Sequence, residues 1–357
     1  MAGLQGTTLG GTRVAGAHGG QLEFFDAVTR VAGAQGGQLQ FFNAVGPDGA
    51  PGNVADAAAV NGHVAAYSRE IAELLSKVAG WSYSDLETFK RQLANLELPA
   101  AGTVLACANF TEIEVNNNAM FVGATAQVIV TADGLTAIVS FRGTEVTNFN
   151  SLLTDAGTKK VEFAQGLQPV VRVHQGFKLC FRALWYGDQG ILGVLMTKPN
   201  LQAIYITGHS LGGACAFLAG LALEYQNNPL WGLVRGIYTY GQPMVVDDRD
   251  RDECENRIGA RLFRHIYFND IVPHLPPLSV GGFDHAGAEY NYDSQNGWSL
   301  RTDWPFTFKR RATQVFTLVG TFLFLGYDFV AQKIQWTILT SPWSIADHSP
   351  VGYMEYW

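Results

Sequence analysis

Ala203-Ile204-Tyr205-Ile206-Thr207-Gly208-His209-Ser210-Leu211-Gly212-Gly213 runs a strand-forming segment into a serine set among glycines. Ala214-Cys215-Ala216-Phe217-Leu218-Ala219-Gly220-Leu221-Ala222-Leu223 then continues with the small and apolar residues of a helix. A serine on so sharp a strand-to-helix turn is held in strained backbone with its hydroxyl exposed, the context in which serine becomes a nucleophile. Gly208 and Gly212 leave room that a Cβ would crowd, and the new helix aims its first N–H groups at the reacting oxygen. The G-x-S-x-G pattern alone is a weak signal; the strand before it and the helix after it make it specific.

The bulk composition is compatible with this reading. A chain of 357 residues has room for one large domain or two small ones. With 47% hydrophobic and 15% charged residues it can bury a sizeable core. A net charge of −7 argues against nucleic acid as a partner. Cys107, Cys180, Cys215 and Cys254 are scattered, without metal-ligand spacing or a disulfide framework. No metal or cofactor is expected. The first residues lack a basic then apolar secretory leader, and Ala2 excludes simple N-myristoylation. The expectation is a cytoplasmic protein or one exported by a non-classical route.

Residues 12–28 and 29–45 form a tandem repeat, identical at 14 of 17 positions and rich in Gly and Ala. Two copies are too few for a solenoid. Residues 1–54 therefore read as a flexible segment, with a docking arm built on Phe24-Phe25 and Phe41-Phe42 as the rival reading, and 46–52 as a linker. The globular domain is expected over 55–357. Apolar spacing predicts helices over 60–79, 83–96 (capped by Ser84) and 177–186, and strands at 102–109, 125–131, 136–141, 203–207, 234–240 and 261–268. Strands alternating with helices predict an α/β fold, a mostly parallel central sheet with helices on both faces.

A serine nucleophile needs a base, and the base needs an orienting acid. In α/β-hydrolases these follow the serine in the order acid, then histidine. Asp270 is the best acid: it follows the apolar strand Leu262–Phe268, so it stands at the sheet edge that carries the nucleophile. The rivals Asp247, Asp248, Asp250, Asp252 and Glu253 form a solvated acidic run. That run begins like a calcium loop, but Glu253 stands where glycine is required. With Asp270 as the acid, His18, His63, His174, His209 and His265 come too early in the chain. His274 would have to fold straight back. The residues themselves leave His285 and His348 open as the base.

Taken together, these motifs resemble the class 3 lipases, the α/β-hydrolases typified by filamentous-fungal triacylglycerol lipases. The similar stretches occur in the family's order: Ile138–Thr144, Val173-His174-Gln175-Gly176-Phe177, Gly208–Gly213, Tyr240-Gly241-Gln242-Pro243, Asn269–Pro273 with Leu275-Pro276-Pro277, His285-Ala286-Gly287, and Asp347-His348 with Tyr353. Met244 stands where the family commonly has a basic residue. The resemblance covers about residues 100–355 and leaves out the repeats. It implies His348, not His285, as the base, with Ser210 and Asp270 completing a Ser-His-Asp triad. It implies an oxyanion hole from the N–H groups of Leu211 and Thr144, and a helical lid over 145–160 that would open at a lipid–water interface.

The expected activity is hydrolysis of acylglycerol esters through an acyl-enzyme. A phospholipase A1 or other acyl hydrolase is the alternative, and a non-catalytic hydrolase-like binding protein the reading from another class. Residues 312–327 hold 16 uncharged residues behind Lys309-Arg310-Arg311. That is short of the ~20 needed to span a bilayer, so a core or acyl-pocket helix is expected, with peripheral membrane contact as the second reading.

Overall fold

The computed structural model describes residues 59–60, 63–64, 67–94, 109–117, 122–143, 159–164, 168–186, 190–276, 282–301 and 346–357. The tandem repeat, Cys107, Thr144, the lid stretch 145–158 and the apolar run 312–327 lie outside the described residues.

Strands β1 (Ala59–Val60) and β2 (His63–Val64) pair antiparallel ahead of helix α1 (Arg69–Trp81). The helix expected from residue 60 therefore begins nine residues later, where the Ser68 hydroxyl accepts the Ile71 N–H as an N-cap. Helix α2 (Leu86–Ala94) follows. Its cap is Asp85, whose carboxylate accepts the Thr88 N–H at 3.0 Å; the expected cap, Ser84, instead donates its hydroxyl back to Trp81 O.

Then come β3 (Asn109–Asn117), β4 (Val122–Val130), β5 (Thr136–Phe141), β6 (Lys160–Glu162), β7 (Arg172–His174), α3 (Gln175–Trp185) and α4 (Ile191–Met196). The elbow unit is β8 (Ala203–His209) followed by α5 (Leu211–Tyr225). The chain continues through β9 (Val234–Tyr240), β10 (Val246–Asp247), α6 (Arg251–Ile258), β11 (Leu262–Tyr267), β12 (Phe283–Asp284), β13 (Ala288–Asp293), β14 (Gly297–Leu300) and α7 (Pro350–Glu355).

The main sheet has eight strands in the order β14-β13-β11-β9-β8-β5-β4-β3. Its five central strands, β13, β11, β9, β8 and β5, run parallel; β14, β4 and β3 pair antiparallel at the two margins. The parallel centre is the one expected, although β13 and β14 were not foreseen.

Alternation along the strands builds two cores. Ala137, Val139, Phe141, Ile204, Ile206 and Ile237 face the layer of α3, α4 and α5, while Ile138, Tyr205, Tyr238, Tyr240, Phe263 and Tyr267 face α1, α2 and α7. Helix α5 is apolar nearly all round because it is buried on every side. A Cβ on Gly220 would lie 2.2 Å from Ile237 Cδ1, so the small residues of α5 let it sit directly on the sheet.

The acidic run at 247–252 is absorbed into ion pairs. Buried Asp247 meets Lys160 at 3.1 Å and Arg249 at 2.8 Å, and Asp250 meets Arg172 at 3.0 Å. These pairs tie together the strands of the small sheet β12-β10-β7-β6.

Candidate active site

Strand β8 ends in a turn only glycine can close. A Cβ on Gly208 would lie 2.3 Å from the Gly212 carbonyl, and one on Gly212 would lie 2.0 Å from Phe141 O. The first turn of α5 thus rests against the end of β5. Ser210 between them takes φ 59 and ψ −127, a conformation an L-residue adopts at a cost of roughly 1–3 kcal/mol. Its N–H is anchored on Tyr240 O at 2.9 Å. Leu211 is the first residue of α5, so its N–H has no acceptor inside the helix.

The C-terminal ends of the neighbouring strands bring the remaining groups to the same edge. After β11 the chain turns through Phe268 (φ 43) and presents Asp270. The short turn Ala346–His348, just before α7, presents His348. His348 Nδ1 lies 2.8 Å from Asp270 Oδ2, and its Nε2 lies 2.8 Å from Ser210 Oγ. A carboxylate only accepts, so Nδ1 carries the proton and Nε2 offers its lone pair to the hydroxyl. All three side chains are buried: Asp270 is 0%, Ser210 2% and His348 5% exposed.

Asp270 has two further donors. The Val272 N–H reaches Oδ1 at 2.8 Å, and the Tyr353 hydroxyl reaches Oδ2 at 2.6 Å. Burial and the adjacent carboxylate hold the Tyr353 phenol well above its usual pKa, so it remains a donor. Asn269 N–H also bonds Asp347 at 3.2 Å, tying the acid turn to the histidine turn. Gly241, at φ 59, passes so close that a Cβ there would lie 2.8 Å from both Asp270 Oδ2 and His348 Cε1.

Ser210, Asp270 and His348, singled out from sequence, therefore meet in one hydrogen-bonded chain, with Leu211 beside the serine. Thr144 lies outside the described residues, although Gly143 before it sits against His209. His285, the rival base, is elsewhere: its Nε2 donates to Pro273 O at 2.8 Å. His209 bonds Tyr83, 2.9 Å from its Nδ1. Sequence reasoning assigned no role to Tyr83, Tyr353 or Gly241. Only Gly241 and Tyr353 carried a signal there, as members of motifs that resembled the family. Among the described residues no group of three or more His, Cys, Asp or Glu could hold a metal ion.

Residues 138–280 match the family model described as Lipase (class 3). This stretch is similar to the class 3 lipases. Among its relatives, a lipase of Rhizopus niveus is 34% identical over 157 residues, which are 43% of this chain and 38% of that protein. A protein of Fusarium solani named secreted mono- and diacylglycerol lipase 1 is 31% identical over 161 residues, 44% of each chain. The chain thus spans less than half the length of these relatives. The solved lipase of Rhizopus microsporus var. chinensis shares the fold with a TM-score of 0.52 at 21% identity, over 84% of this chain and 92% of that one. The α/β-hydrolase fold is thereby shared. The matched stretch includes Ser210 and Asp270 but ends before His348, which tertiary structure alone brings to them.

Proposed function

We propose that this chain is a serine carboxylic-ester hydrolase acting on acylglycerols through Ser210, His348 and Asp270. The observation that supports it is the unbroken line from Asp270 Oδ2 through the His348 ring to Ser210 Oγ, with both contacts at 2.8 Å.

His348 Nε2 takes the hydroxyl proton as Ser210 Oγ attacks the ester carbonyl carbon. Asp270 keeps the ring in the required tautomer and faces the positive charge that forms on it. Tyr353 and the Val272 N–H hold the carboxylate in place. The carbonyl oxygen becomes an oxyanion met by the Leu211 N–H and, as the family resemblance implies, by Thr144. The imidazolium returns its proton to the leaving alcohol. Water, deprotonated by the same nitrogen, then releases the acid and restores Ser210.

The substrate class is argued from the relatives. The Fusarium protein is by name a mono- and diacylglycerol lipase, and the apolar stretch Val146, Phe149, Leu152, Leu153 would serve as a lid over a lipid substrate. The test is a panel of p-nitrophenyl esters, acylglycerols and phospholipids against wild type, Ser210→Ala, His348→Ala and His285→Ala. Abolished turnover in the first two variants and near wild-type turnover in His285→Ala is expected. Loss in His285→Ala with survival in His348→Ala would refute the assignment, and phospholipid turnover above acylglycerol turnover would reassign the substrate.

A further inference from the structure

The residue before the nucleophile is a histidine whose ring bonds Tyr83, while the Ser210 hydroxyl is met by His348. His209 is 2% exposed and lies with its ring 4.6 Å from the His348 ring, tilted by 32°. Its Nδ1 is 2.9 Å from the Tyr83 hydroxyl, and the ring also hydrogen-bonds the His348 backbone. On its other side the Tyr353 ring meets it edge-on at 5.5 Å. Burial first, and the neighbouring His348 second, depress the His209 pKa well below the usual value, so the ring is neutral.

Tyr83 comes from the turn between α1 and α2, far away in sequence, and it touches two parts of the site at once. Its oxygen lies 1.9 Å from where a Cβ on Gly143 would be, and the Gly143 backbone N–H bonds the same phenol. A phenol oxygen has one proton: accepting from Gly143, it donates to His209 Nδ1. Arg142 sits over the ring at 5.8 Å. The phenol therefore joins the turn that leads into Thr144 to the ring packed against the base.

We propose that Tyr83 and His209 are positioning residues for the hydrolysis. The phenol fixes the plane of the His209 ring, and that ring holds His348 in line with Ser210. The same phenol oxygen holds the Gly143 turn at its distance from Leu211. The His209 ring also gives the forming imidazolium an uncharged neighbour, where a second cation would oppose proton transfer. This inference rests on the hydrolase reading of Ser210, His348 and Asp270.

The experiment uses the full chain and p-nitrophenyl butyrate, with Tyr83→Phe, His209→Phe and the double variant. Each single change is expected to lower kcat by roughly tenfold to a hundredfold with KM unchanged, since a small misplacement of a reacting group has that scale of effect. Because the two residues act through one linkage, the double variant is expected to lose no more than the worse single one. Labelling of Ser210 by a fluorophosphonate should slow in proportion. The low-field proton resonance of His348 Nδ1 should broaden in Tyr83→Phe, a signature that a merely structural role would not move.

Tyr83→Phe keeps the ring and its packing. Should His209→Phe fail to fold, Tyr83→Phe and His209→Gln carry the decision. Wild-type kcat in Tyr83→Phe, multiplied losses in the double variant, or a raised KM at constant kcat would each overturn the inference. A wild-type chain inactive on every ester removes the hydrolase reading and this inference together. An active wild type with unimpaired variants removes only the inference.

Discussion

Gly241→Ala tests the site where backbone and chemistry meet most closely. The residue has φ 59, and the new Cβ would lie 2.8 Å from Asp270 Oδ2, 2.8 Å from His348 Cε1 and 2.9 Å from His348 Nδ1. Ordinary contact begins near 3.4 Å, so the carboxylate and the ring must each retreat by about 0.6 Å. They sit on different loops, so one concerted shift does not relieve both. If the ring moves that far from the glycine, the 2.8 Å contact between His348 Nε2 and Ser210 Oγ opens toward the limit of a hydrogen bond.

The expected loss in kcat is on the order of tenfold to a hundredfold. The left-handed conformation adds about 1–2 kcal/mol of instability, which corresponds to roughly 1–3 °C in Tm for a chain of this size. Gly134→Ala is the control: it has φ 74 but nothing within 4 Å of the added Cβ. It carries the conformational cost alone, so its Tm should fall while kcat stays at the wild-type value. Ester hydrolysis and thermal unfolding of both variants provide the measurement. Equal kcat in Gly241→Ala and wild type would show that the close approach at the Asp270–His348 pair does not matter, and the reasoning would fail.

Tyr353→Phe removes one of three donors to a buried carboxylate and leaves the Tyr267 N–H without this acceptor. About 1–3 kcal/mol of stability should be lost, together with part of kcat, as measured by urea unfolding and ester turnover; an unchanged urea midpoint would exclude the hydrogen bond as a contributor. His174 is fully buried between Phe177 and Phe283, with neither ring nitrogen partnered among the described residues, and burial lowers its pKa from 6.5 to about 3. The unfolded chain then binds more protons than the folded one between those values. This histidine's stability is complete above 6.5 and drains away as pH falls toward 3, by up to about 1.4 kcal/mol per unit. Unfolding free energies at pH 7 and pH 5 should differ less in His174→Phe than in wild type; an identical difference would rule His174 out as the source.

Much of the site was legible because its most strained element is local. The glycines at 208 and 212, the strand before them and the apolar helix after them can form little else, and Asp270 was readable as a carboxylate ending an apolar strand. The base was not: His285 and His348 both follow the acid, and only the family resemblance separated them. Strands β13 and β14 escaped notice because Ala288–Asp293 has no strong apolar alternation; it becomes a strand by pairing with β11. The helix expected from residue 60 begins at Arg69, since apolar spacing cannot locate a cap.

The sequence by itself determined the bent corner at Ser210, because glycine's missing Cβ and the run of small residues act over a few positions. Tertiary structure decided which imidazole meets that hydroxyl. His348 lies 138 residues from Ser210 and 78 from Asp270, and no local preference spans such separations. It is the parallel stacking of β5, β8, β9 and β11 that delivers their C-terminal ends to one edge, and the packing of α7 on α1 that carries the last histidine there. Tyr83 and His209 join them for the same reason: side chains distant along the chain become neighbours only once the sheet has gathered its loops.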